Sequence, residues 1–297
     1  MTRFLNGRTA VLAGHGFDES GPYLLVNDVE RQAQVRFAVL GRTFSLRRLP
    51  KRRCVGRLDL ETLENSVCPL DVELLPDAKD TMCPACQEAT GFNPSFYYAD
   101  FVSAQQRAYN LKPHFAYLAY FSPRHVKCGI SSEVRGIERL LEQGARAARI
   151  VGRFVNADDA RELEAALCAQ PGIAETMRAS LKARLLVEER FGFAQAKAVL
   201  DDAVERLGIE GAEPAQDLSP YYFGGPSPDV HDLQLPEGPG DECGGRCVGM
   251  VGGALVFEQG GTNYVVSVKD WESHEIELLE DEVVCEYAFE PQQFSLF

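Results

Sequence analysis

HFAYLAYFSPRHVKCGISSEVRGIERLLEQGARAARIVGRFV, residues 114–155, decides how the chain is read. HFAYLAYF (114–121) is a strand, SPR a turn and HVKCGI (125–130) a second strand. VRGIERLLEQGARAA (134–148) follows helical spacing, and RIVGRFV (149–155) is a third strand. NADDARELEAALCA (156–169) adds a helix with Asn156 as N-cap and acids in its first turn. The order is β-β-α-β-α. In the first helix Ile137, Leu140, Leu141, Gly144, Ala145 and Ala148 form the buried stripe, while Arg139, Gln143 and Arg146 share another face, continued by Arg149. In the second, Ala160, Leu163 and Leu167 are buried and Glu164 stands at the edge.

Outward from this core the chain reads as α+β in five parts. Residues 1–53 hold short apolar or alternating runs between Gly, Asp and Asn turns, a small N-terminal β-sheet. Residues 54–112 are irregular and cysteine-rich, with Pro69, Pro76, Pro84 and Pro94. Residues 113–208 hold the core and two further amphipathic helices, 173–192 and 193–208. Residues 209–245, rich in Pro, Gly and acids, read as a linker or long loop, and 246–297 as a C-terminal β-meander.

Cys54, Cys68, Cys83 and Cys86 lie in a stretch with little core of its own, and CPAC supplies a close pair. Four thiolates satisfy tetrahedral zinc at roughly 2.3 Å each and leave no open position, so the ion is expected to be structural. The alternative is four unconnected thiols with CPAC as a redox pair. Nine cysteines in all, an odd number, argue against a disulfide framework.

No uninterrupted apolar stretch is long enough to cross a bilayer, and the first residues lack the apolar h-region of a secretion signal. The expectation is a cytoplasmic protein with no membrane partner. The net charge of −14 is segregated: residues 201–297 hold 21 acids against three cations, −18, which leaves residues 1–200 at +4. GRTFSLRRLPKRRCVGR (41–57) contains no acid. Such segregation points to a polyanion on one face, DNA or RNA, with Arg47, Arg48, Lys51, Arg52, Arg53, Arg146 and Arg149 as its contacts. The alternative is a solvated basic loop.

A tyrosine on strand one, K-x-G on strand two, an arginine on the next helix and A-x-x-L-E-x-x-L on the last resemble the GIY-YIG nuclease superfamily. More closely, HFAYL, VKCGIS, RLLEQGA and the upstream cysteines, with CVGMVGGALVFEQGGTNYVVSVKDWESHEIEL, resemble a bacterial and archaeal family of unknown function over most of residues 53–279. The superfamily resemblance implies a GIY-YIG-like core with Tyr117, Lys127, Arg139 and Glu164 as its site. Glu164 would hold Mg or Mn, Arg139 would neutralise developing charge, and Tyr117 would position or deprotonate water. Lys127 stands where that superfamily has its second tyrosine. An ammonium binds phosphate but accepts a proton only if burial or a nearby cation lowers its pKa. The expected function is nucleic-acid interaction, with metal-dependent phosphodiesterase activity as one form. The alternatives are an inactive zinc-stapled nucleic-acid-binding module, or a binder of a small anionic ligand or partner protein.

Overall fold

The computed structural model describes residues 9–92, 102–229, 232–236 and 240–285. Pro94 and linker positions 230–231 and 237–239 lie outside the described residues. The described residues open with four strands, β1 (Thr9–Asp18), β2 (Gly21–Asp28), β3 (Ala33–Ala38) and β4 (Thr43–Arg53). The cysteine segment has only the short strands β5 (Arg57–Leu58), β6 (Asn65–Ser66) and β7 (Glu73–Leu74) and the helix α1 (Pro84–Thr90). Helix α2 (Ala104–Asn110), capped by Ser103, leads into the central unit.

The central unit has the expected order: β8 (His114–Ser122), β9 (His125–Ser132), α3 (Glu138–Gln143), β10 (Ala147–Phe154), α4 (Ala157–Cys168). Then come β11 (Ile173–Ala174), α5 (Ala179–Glu188), α6 (Phe193–Arg206), β12 (Gln216–Asp217) and α7 (Ser219–Phe223). The described chain closes with β13 (Leu233–Gln234), β14 (Glu242–Val251), β15 (Ala254–Gln259), β16 (Thr262–Ser267) and β17 (His274–Glu280).

The β strands at the two ends of the chain form one sheet rather than two separate ones. Its order is β13-β16-β15-β14-β4-β17-β1-β2-β3, with β7 added on β4. Strand β4 lies between β14 and β17, antiparallel to both, so residues some two hundred positions apart are hydrogen-bonded neighbours. The central unit carries its own five-stranded sheet, β11-β9-β8-β10-β12. Every residue of β8 is buried, because the strand is covered on both faces. Phe115, Tyr117, Ala119 and Phe121 join the core shared with the large sheet, α3 and α5. Ala116, Leu118 and Tyr120 join a second core under α6 and the buried stripe of α4.

Two elements differ from the sequence reading. The helix expected over 134–148 is only six residues, Glu138–Gln143, preceded by a 3-10 turn. Gly136 breaks it on one side at φ 45°, and Gly144 ends it on the other at φ 72°, a left-handed cap that suits glycine. A Cβ on Gly252, itself at φ 55°, would lie 3.0 Å from the Gly144 nitrogen, so the end of α3 rests against the β14–β15 turn. The region read as a linker is also packed over part of its length. Leu218 and Tyr222 are fully buried, and β12 extends the central sheet beside β10.

Tyr222 Oη donates to the carbonyl of Ala145, just beyond the end of α3, at 2.7 Å and lies 3.3 Å from that of Leu141, tying this segment to the core. Tyr222→Phe is expected to lower unfolding free energy by about 1–2 kcal/mol in urea denaturation, with the slope unchanged.

Candidate functional site

Tyr117 and Gly129 are directly opposed across β8 and β9. A Cβ on Gly129 would lie 2.6 Å from Tyr117 Oη and 3.2 Å from Lys127 Nζ, so the phenol and the ammonium share the space that this glycine leaves. Lys127 is 9% exposed and donates to the Cys128 carbonyl at 3.2 Å. Burial lowers its pKa, Glu164 draws it back, and Arg139 adds to the lowering. Burial pushes the Tyr117 hydroxyl up to about 12, against the pull of Arg139, so it stays a phenol and a donor at neutral pH.

Lys182 of α5 completes the cluster, and no feature of its sequence surroundings marked it out. Its ammonium donates to the Gln143 carbonyl at 2.7 Å. Burial, followed by Lys127 and Arg139, lowers its pKa to about 8. Among the described residues neither lysine has a carboxylate within ion-pair distance, and Arg139 has only Glu142 at 3.7 Å. Three cations thus crowd one partly desolvated place. Glu164 belongs to the buried stripe of α4, and its carboxylate accepts a hydrogen bond from Arg161, which also holds Glu175 at 2.9 Å.

Arg139, Gln143 and Lys182 line a cavity of about 680 Å³. Tyr117, Lys127 and Glu164 are not part of its lining. The opposite wall comes from the large sheet, where His15 and Glu272 stand 3.8 Å apart, and from Leu58, Leu60, Leu63 and Phe92 of the cysteine segment. The cavity therefore exists only where three parts of the chain meet.

The expected basic face is different. Arg47 is bound by Glu242 at 2.6 Å and Glu277 at 2.8 Å, and Arg48 by Asp241 at 2.9 Å. Lys51 meets Glu73 at 2.9 Å, and Arg53 meets Asp71 and Glu275, both at 2.6 Å. Arg52 is 8% exposed and donates to Ser273 Oγ at 2.8 Å and to the Ala78 carbonyl. Arg149 pairs with Asp201, and Arg146 is buried against Phe191. Of the cations of 42–57, Arg42, Arg47, Arg48 and Arg53 pair with acids of the C-terminal part, while Lys51 pairs with Glu73. The arginine line also breaks up. Arg146 lies beyond the end of α3 and Arg149 is on β10, so neither shares a helix face with Arg139.

The four cysteines are brought together. All are buried, and their sulfurs lie within 4.8 Å of one another, with Cys68 and Cys83 at 3.9 Å. Backbone N–H groups of Cys83 and Gly56 donate to Cys54 Sγ at 3.1 and 3.4 Å, and Cys83 and Cys86 flank the first turn of α1. Burial raises the Cys54 thiol to about 11 despite these donors. Compact sulfurs with N–H donors, and no disulfide among them, suit a structural metal such as zinc.

The family model described as Protein of unknown function (DUF2797) matches residues 99–276. The chain belongs to this family. The match takes in Tyr117, Lys127, Arg139, Glu164 and Lys182 and begins after the four cysteines, so it is narrower than the resemblance read over 53–279. Neither the curated proteins nor the solved structures contain a match.

If Lys127 helps to depress Lys182, removing it must release the Lys182 amine. In Lys127→Met the Lys182 amine, near 8 in the native chain, is expected to titrate at higher pH, read by NMR of the lysine side chains. An unchanged midpoint would mean that the two amines do not interact.

Proposed function

We propose that the protein binds a phosphate-bearing ligand, a nucleic acid or nucleotide, in the cavity bordered by Arg139 and Lys182. The observation that carries this reading is the crowding of Lys127, Arg139 and Lys182, with neither lysine ion-paired to a carboxylate among the described residues and only Glu164 acting on Lys127 from further away. Like charges in a desolvated site raise the energy of the free protein, and an anionic oxygen beside Arg139 and Lys182 relieves it. Arginine offers a fork to two phosphate oxygens and lysine a point charge. The element order and the placement of Tyr117 beside Lys127 support kinship with GIY-YIG-like sites.

The expected signature is specific. Affinity for a 5′-phosphorylated oligonucleotide or a mononucleotide falls as pH rises through about 8, where Lys182 gives up its proton. Arg139→Ala and Lys182→Met each weaken binding by about tenfold or more. With Arg47, Arg48 and Arg53 already paired, the salt dependence should be shallow, equivalent to neutralising about two or three phosphates. No binding of either ligand at low salt, or binding indifferent to both substitutions, overturns the reading.

Cleavage is the second reading, favoured by the downward shift of the Lys127 pKa, the condition for an amine to accept a proton. Against it, Glu164 is held by Arg161 and is not on the cavity wall, so it fits a Mg or Mn ligand poorly as placed. Incubation of DNA and RNA with Mg or Mn, beside Glu164→Ala, separates the two. Products that vanish in the variant establish the phosphodiesterase.

The cysteine cluster is read as one structural zinc held by Cys54, Cys68, Cys83 and Cys86. Protein purified without chelator is expected to contain about one zinc per chain. Cys83→Ser should lose the metal and, because the cysteine segment walls the cavity, ligand affinity with it. Absence of zinc on elemental analysis removes this assignment.

A further inference from the structure

We propose that a second, smaller cavity beside Arg146 is a binding site for a small monocarboxylate. It is separate from the phosphate reading. Arg146 is held in place by its main chain, whose N–H donates to Tyr120 at 2.8 Å and whose carbonyl accepts from Leu218 at 3.1 Å. The residue is 5% exposed, and its guanidinium stacks on Phe191 at 4.5 Å from the ring centroid. Among the described residues its one side-chain hydrogen bond is to a neutral group, Ser227 Oγ at 3.3 Å, and Nε has no acceptor. Among the described residues no carboxylate reaches ion-pair distance of it. Asp217, the acid that acts on it from further away, is engaged by the Ser219 N–H at 2.9 Å. An uncompensated buried cation is costly, and burial pulls Arg146 down to about 10.

The space next to it measures about 160 Å³, with Leu186, Phe191 and Ser227 on its walls. That is well below the ~300–1,000 Å³ usual for larger ligands, so it admits one small group. Its other charges are matched: Glu189 faces Arg124 at 3.9 Å, and Asp229 faces Arg190 at 3.8 Å. The guanidinium of Arg146 remains without a carboxylate, which suits a monoanion, and Glu189 and Asp229 in the same lining oppose a dianion. The planar fork of arginine matches a carboxylate. A free small acid and the carboxylate of a short peptide share this chemistry.

The test follows the side-chain N–H resonances of Arg146 by NMR while sodium acetate is titrated against sodium chloride at matched ionic strength. Phosphate at pH 8 and a dipeptide serve as further arms. Acetate is expected to give a saturable shift, with chloride giving none and phosphate a weaker one. A dipeptide shift stronger than that of acetate assigns the site to a peptide carboxylate, and a weaker one to a free acid. Ser227→Asp keeps Arg146 and supplies a carboxylate from within. It is expected to raise the melting temperature and to weaken the acetate response by about tenfold or more. Equal responses to acetate and chloride overturn the proposal, as does a Ser227→Asp chain that still responds to acetate like the native one.

Discussion

Strand β4 lies between β14 and β17, and the rest of the molecule depends on that pairing. The backbone ladder joins the two ends of the chain into one sheet. On it, Arg47 and Arg53 bridge to Glu242, Glu277 and Glu275. Exposed ion pairs each contribute little, but Arg53 and Glu275 are mostly buried, so their pair is less screened. Part of the charge segregation along the chain is met by pairing between strands of one sheet. A slip in register would set the acids and arginines out of step, so the charges also specify alignment.

Because the ends are joined, the central unit sits as an insert on the face of the large sheet, with α3 and α5 between them. The meeting of Gly144 and Gly252 lets the end of α3 approach a hairpin turn at backbone distance. The cavity occupies the space left between the central unit, the sheet and the cysteine segment. Its chemistry follows from burial: the cations are close because three elements press them together, and the pKa values of Lys127 and Lys182 fall because water is excluded.

Arg146 shows the same logic in a smaller space. Main-chain bonds to Tyr120 and Leu218 position it, and Phe191 covers one face of the guanidinium. A cation placed by backbone geometry, rather than by a carboxylate partner, retains a charge that a ligand can meet. The two cavities thus owe their polarity to the way strands and helices are assembled, not to local clusters of basic sequence.

The order of the central elements was legible because sequence pattern is local: a continuous apolar run closed by a turn marked β8, and Asn156 with its following acids marked the start of α4. The clustering of the four cysteines was legible because close thiols in a stretch with little core of its own are chemically distinctive. The length of α3 was less so, since a glycine within a helical pattern reads as tolerated until its φ is known. Tertiary structure alone decided that the end strands share one sheet, that Tyr222 belongs to the core, that Lys182 joins the cluster and that Arg146 is buried. Each of these depends on a partner far away in sequence. A side chain's own identity states its charge and size, whereas its partner, its burial and hence its chemistry are set by what folds against it.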